Sequence, residues 1–154
     1  MKTEKDFAEF IKLLNKNKVK YCLVGGYAFG LYAEPRYTKD MDILVEPTLE
    51  NGEKIICALS DFGFGDIGLT AEDFTEEKEF IQLGQAPIRI DLITSLEGVS
   101  FKEIWENRRE EYYGKEKVFV IGLKELIKTK KASNRPQDKL DLKVLDKFSN
   151  RKKT

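Results

Sequence analysis

Three aspartates and a pair of glycines stand where they could handle a phosphate ester and its counter-ion. Asp40 and Asp42 flank Met41 at the head of an alternating segment, MDILVE at 41–46. The period of two puts both carboxylates on one strand face and Met41 on the other. Two like charges held side by side need water or a cation between them. Asp91 interrupts the apolar run IRIDLIT at 88–94. A carboxylate there is costly to bury without a metal or a cationic side chain. Arg89, two residues earlier on the same face, offers such a partner. Gly25-Gly26 follow the apolar stretch VKYCLV at 19–24, where a strand gives way to a helix. Residues without side chains let backbone N–H groups approach an anion, and the helix dipole favours phosphate at that end. Each feature has a plainer alternative: a solvated strand end, an Arg–Asp pair, a tight turn.

Composition narrows the chemistry further. Among 154 residues there is no histidine, which removes imidazole acid–base catalysis, His-ligated zinc and the Ser-His-Asp relay. Hard oxygen chemistry with carboxylates and Mg²⁺ remains. Lys+Arg and Asp+Glu are both 27, so net charge selects no acidic partner. Hydrophobic content of 41% and charged content of 35% suit a water-soluble globular chain. No run approaches the ~20 apolar residues of a membrane span, and MKTEKDFAEF contains no signal-like apolar core. A cytoplasmic protein with no membrane partner is expected. Cys22 and Cys57 sit in the apolar runs YCLV and IICAL and are expected to be reduced and buried.

The elements that must hold these residues follow from periodicity. Phe7, Phe10, Ile11 and Leu14 repeat at helical spacing, so 4–16 reads as an amphipathic helix started near Thr3. Strands are expected at 19–24, 41–46, EFIQLG, IRIDLIT and KVFVI. YAFGLYA reads as a short helix stopped by Pro35. Thr48 can cap a helix ending at Gly63 or Gly65. GFGDIGLTAEDFTEE reads as an exposed loop, SFKEIWENRRE as a helix, and 123–132 as a basic helix. Pro136 opens a last helix to about Ser149, ahead of a frayed NRKKT tail. The mixture implies an α/β (α+β) fold with a mixed sheet flanked by helices. One domain spanning 1–150 is expected, its C-terminal helical part at about 122–150.

Together the pattern is strand, V-G-G at 24–26, helix, D-M-D-I at 40–43 on the next strand, then a lone Asp91. It resembles the DNA polymerase β-type nucleotidyltransferase superfamily, which places G-[GS] some nine to thirteen residues before D-h-[DE]-h. R-Y-T-K-D at 36–40, P-T-L-E-N at 47–51, I-R-I-D-L-I-T at 88–94 and the set Lys130, Arg135, Pro136, Asp138, Asp141 resemble small bacterial and archaeal members related to abortive-infection toxins. The similarity runs from about residue 7 to 146. It implies transfer of an NMP from an NTP to a hydroxyl, with release of pyrophosphate. Asp40, Asp42 and Asp91 would hold Mg²⁺ or Mn²⁺, with Asp91 either ligand or general base. Gly25, Gly26, Arg36, Thr38 and Lys130 would contact the nucleotide. Asp138 and Asp141 read as braces for Arg135 or Lys130. Tyr27, Tyr32 and Tyr37 flank the site, either stacking on a base or packing. The resemblance leaves the acceptor open among tRNA, protein and small molecules, with a second subunit or partner protein as its holder. It also admits a non-catalytic, toxin–antitoxin-like nucleotide-binding member.

Overall fold

The computed structural model describes residues 4–33, 40–84 and 89–152. Arg36, Tyr37, Thr38 and Lys39 lie outside the described residues, as do Thr3, Pro35 and Pro87.

Helix α1 (Lys5–Lys16) buries Phe7, Phe10, Ile11 and Leu14, the stripe that its spacing dictates. Its N-cap is Glu4, whose side chain makes no capping bond. Strand β1 (Tyr21–Val24) is buried along its whole length. It runs directly into α2 (Gly25–Tyr32). Strand β2 (Asp40–Val45) follows, then α3 (Leu49–Phe62), where Thr48 accepts a hydrogen bond from the Asn51 N–H and Gly63 ends the helix in the left-handed conformation. Strands β3 (Phe80–Leu83) and β4 (Arg89–Ile93), helix α4 (Phe101–Glu106), strands β5 (Arg109–Tyr113) and β6 (Glu116–Val120), and helices α5 (Leu123–Ser133) and α6 (Pro136–Lys152) complete the chain.

The six strands form one mixed sheet in the order β3-β4-β2-β1-β6-β5. β1 pairs antiparallel with β2 and parallel with β6, while β2 pairs parallel with β4. The expected α/β architecture is therefore present. Helices α1 and α3 pack together, with Phe10 edge-on to Phe62 at 5.1 Å, and α5 packs against α6. Among the described residues no helix is long and apolar enough to cross a membrane.

Four expectations need correction. SFKEIWENRRE is helical only to Glu106; Asn107 ends the helix and Arg109–Tyr113 becomes the edge strand β5, paired antiparallel with β6. Gly114, at φ 62, makes the tight return between the two strands. The stretch 63–77 is not simply an exposed loop. Its Ala71–Phe74 turn is 3₁₀, capped reciprocally by Thr70 and Asp73, and drives Phe74 fully into the core. Cys57 is exposed, whereas Cys22 is buried and its thiol is pushed up to about 12 by burial. In α3 the buried face comprises Asn51, Gly52, Ile55, Ala58 and Leu59, so a continuous apolar run still turns position 57 outward. Finally, α6 continues to Lys152, into the expected tail.

Asn51 is a buried polar group that periodicity passes over. It is 2% exposed. Its Oδ1 accepts from the Lys20 N–H at 2.8 Å, and its Nδ2 donates to the Lys20 and Glu46 carbonyls at 3.1 Å each. It therefore ties the start of α3 to the ends of β1 and β2 remote from the aspartates. Asn51→Ala leaves the Lys20 N–H without a partner, while the Lys20 and Glu46 carbonyls keep the Glu46 and Thr48 N–H groups, and should cost about 1–3 kcal/mol in urea unfolding with unchanged m-value.

Candidate active site

Sheet register assembles the acidic residues. In the parallel β2–β4 ladder Asp40 lies opposite Arg89 and Asp42 opposite Asp91; in the antiparallel β1–β2 ladder Val24 lies opposite Asp42. Residues across from one another share a face, so Asp40, Asp42, Arg89 and Asp91 project to one side of two neighbouring strands. The β1–α2 junction is delivered to the same place.

Gly25 is required at that junction. Its φ is +69, in the left-handed region, and a Cβ there would collide with Asp42 Oδ2. The carboxylate thus lies directly over the helix entrance. The α2 N-cap, Val24, supplies no side-chain acceptor, so the first N–H groups of that helix have no side-chain cap.

The electrostatics are unbalanced. Asp91 is 2% exposed. Arg89 Nη2 donates to Asp40 Oδ2 at 2.5 Å and to Asp91 Oδ2 at 3.2 Å. Among the described residues Asp42 has no such cation at hydrogen-bond distance. Burial, and then the charge and hydrogen bonding of Asp91 with the charge of Asp40, push its carboxyl up from 3.8 to about 6 against the opposing pull of Arg89. Asp91 Oδ1 and Arg89 Nε are buried and have no hydrogen-bond partner.

Gly25 also borders a cavity of 390 Å³, together with Ser95, Glu97, Thr129, Lys130 and Arg135. A second cleft, of 570 Å³, is bordered by Gly25, Gly26, Lys130, Arg135, Gln137 and Asp141. Lys130 therefore reaches the same space as the glycine pair, but its ammonium is engaged. Its Nζ lies 2.8 Å from Asp141 and 3.6 Å from Asp138. Asp138 in turn accepts from the Ser133 hydroxyl and from the Arg135 N–H and Nε. Burial raises the Asp138 carboxyl, yet those bonds outweigh it and bring it down to about 2. The two aspartates are braces, as the spacing suggested. Tyr27 and Tyr32 are both packed: Tyr27 against Tyr113 at 5.3 Å, and Tyr32 with its hydroxyl donating to the Ile121 carbonyl at 2.8 Å.

The donor set can be tested against Mg²⁺ or Mn²⁺. Among the described residues no three acidic or thiol side chains converge, as placed, on one cation position. The chemistry nevertheless fits. Asp40, Asp42 and Asp91 offer hard oxygens, one buried Asp91 oxygen is unsatisfied, and the space between Asp40 and Asp91 already holds a cationic nitrogen.

No protein-family model matches the sequence, and no curated protein matches it. Among solved structures, the chain is similar to the lincosamide antibiotic adenylyltransferase LnuA, crystallised with lincomycin bound. The match has a TM-score of 0.55 and 15% identity, covering 95% of this chain and 98% of that one. The chain has a nucleotidyltransferase-like fold. The match extends over nearly the whole of both chains rather than a local motif. At this identity it speaks to architecture, and the chemistry must be argued from the residues themselves.

Proposed function

We propose that this protein is a metal-dependent nucleotidyltransferase that moves an NMP from an NTP to a hydroxyl acceptor and releases pyrophosphate. The observation that carries the reading is the meeting of Asp42 with Gly25 and Asp91: an under-neutralised carboxylate pair over an uncapped helix entrance. Mg²⁺ or Mn²⁺, held by Asp40, Asp42 and Asp91, would supply Lewis acidity toward the phosphoryl oxygens. The N–H groups of Gly25 and Gly26 bind the triphosphate, and Arg36 and Thr38 add phosphate contacts. Lys130 and Arg135 border the adjoining cavity and keep cationic side chains beside it. Asp91, the most buried of the three carboxylates, takes the acceptor proton as the new O–P bond forms and the bond to pyrophosphate breaks. The acceptor belongs to a tRNA end, a protein or a small molecule. The fold likeness to an antibiotic adenylyltransferase makes the last the first class to assay.

The test is incubation with each α-labelled NTP, Mg²⁺ or Mn²⁺, and either cell lysate or a panel of hydroxylated small molecules. Label should appear on one acceptor with one preferred NTP. The preferred metal–NTP pair at 100 times its Kd should stabilise the fold by about 2.7 kcal/mol. Stabilisation without labelling would favour a non-catalytic, toxin–antitoxin-like member. Neither labelling nor stabilisation with any combination would overturn the proposal.

A further inference from the structure

We infer that Arg89 is a tethered counter-cation that occupies the metal position between Asp40 and Asp91, so that a divalent ion must displace it to load. This rests on the metal-dependent reading above and adds to it a residue that sets how readily the metal enters. A single nitrogen, Nη2, makes both contacts, at 2.5 Å to Asp40 and 3.2 Å to Asp91. One positively charged atom already lies within hydrogen-bond reach of two carboxylates on adjacent strands, the carboxylates that would hold the metal.

The rest of the ion cluster argues that this is a temporary tenant. A structural ion pair in the interior satisfies its remaining polar atoms, because each orphan there costs free energy. The Lys130 clamp does so: Asp138 uses Oδ1 for Lys130 and Oδ2 for Arg135 and Ser133, while Asp141 uses Oδ2 for Lys130 and Oδ1 for Gln137. The Arg89 cluster does not. Arg89 Nε and Asp91 Oδ1 are both buried without a partner. The guanidinium therefore presents only part of its planar fork to the carboxylates, and forgoes the bidentate geometry that makes arginine a strong structural partner. Departure is also open to it. The Arg89 side chain is 34% exposed, against 2% for Asp91, so its charge can regain water while the aspartates stay where the strands hold them. Arg89 holds Asp40 and Asp91 together in the metal-free site, and an ion that binds both carboxylates must first evict it.

The experiment is a nucleotide-free Mn²⁺ titration of the full chain, read by calorimetry and by the electron paramagnetic resonance of free Mn²⁺. Wild type is compared with Arg89→Met and Arg89→Lys, alongside melting curves with and without Mn²⁺. Arg89→Met should bind Mn²⁺ at least about tenfold more tightly than wild type, within the range by which groups around a metal tune its affinity. Its metal-free melting temperature should fall, and saturating Mn²⁺ should close the gap. Arg89→Lys, which keeps the charge but not the fork, should fall between the two. If Met does not yield folded protein, Lys carries the comparison. Binding by the folded variant that equals or is weaker than wild type would overturn the inference, and would make Arg89 an orienting partner of the ligands. Absence of Mn²⁺ binding in wild type and variants alike would take down the metal reading along with it.

Discussion

Asp42→Asn should produce a metal-free protein more stable than wild type at neutral pH and, under the proposed reading, nearly inactive. Both effects come from the carboxylate pair that Asp42 makes with Asp91. The folded chain holds the Asp42 proton more tightly than an unfolded chain does, with its carboxyl moved from 3.8 to about 6. The raised value means that the Asp42 contribution is most favourable at acid pH and is lost as pH climbs through that interval. At about 1.4 kcal/mol per pH unit, and discounted for water that screens the group, the loss is about 2 kcal/mol. Asparagine keeps the size and removes the charge. Its stability advantage should be negligible near pH 4, grow to pH 6, and then stay level. Chemical denaturation across pH 4–8 in chelator measures it directly, and a flat difference would refute the assignment of the strain to Asp42. Mg²⁺ should stabilise wild type more than the variant. Loss of one metal ligand removes several kcal/mol of charge stabilisation in the reaction, so transfer should fall by about 10²–10³-fold or more.

The second large effect is expected at Lys130. Its side chain is 11% exposed and those of Asp138 and Asp141 are 3% and 4% exposed. Lys130→Met leaves two nearly buried carboxylates without the ammonium they share. Breaking a buried pair from one side costs roughly 3–5 kcal/mol. For a chain of this size that is on the order of 10 °C in melting temperature. If the cost is electrostatic rather than lost packing on Phe29, whose ring centre lies 5.7 Å from Nζ, Asp141→Leu added to Lys130→Met should recover part of it. A double variant no more stable than the single would assign the cost to packing instead. The same clamp bears on nucleotide binding: Lys130 borders the cavity with much of its charge already neutralised, so it enters as a rigid wall and only a partial cation.

How far the site is legible in the sequence depends on the range of the contacts that build it. The common face of Asp40 and Asp42 is a consequence of strand period alone, and so is that of Arg89 and Asp91. The glycine turn after YCLV is equally local. What requires the structure is the lateral pairing of β2 with β4, a contact between residues some fifty positions apart, which sets Asp42 beside Asp91 and Arg89 beside Asp40. The sequence suggested Arg89 as a partner for Asp91; its shorter contact with Asp40 follows only from that pairing. Strand β5 escaped for a different reason. REEYY shows no apolar alternation because most of an edge strand faces water, and the preceding Phe101, Ile104 and Trp105 read convincingly as a helix that continues. Asn51 escaped because its burial serves hydrogen bonds to the backbone rather than an apolar face. The Lys130–Asp138–Asp141 clamp was legible, since helix spacing puts those carboxylates one turn apart. Arg36 and Thr38, expected near the phosphates, lie outside the described residues.

Among the described residues the sheet ends in strands β3 and β5, and these edges are defended unequally against self-association. β5 presents Arg109, Glu110 and Glu111, with Arg109 paired to Glu111 and Glu110 to Lys117, so another strand would have to bury charge to add there. β3 is four residues long and shows Phe80 57% exposed to water. Its protection comes from shortness and from the approach Glu76, Glu77, Lys78 and Glu79, whose net negative charge repels a second copy. Because salt screens that repulsion, concentrated stocks are safest at low salt. High-salt storage is where chains should begin to add edge to edge through β3.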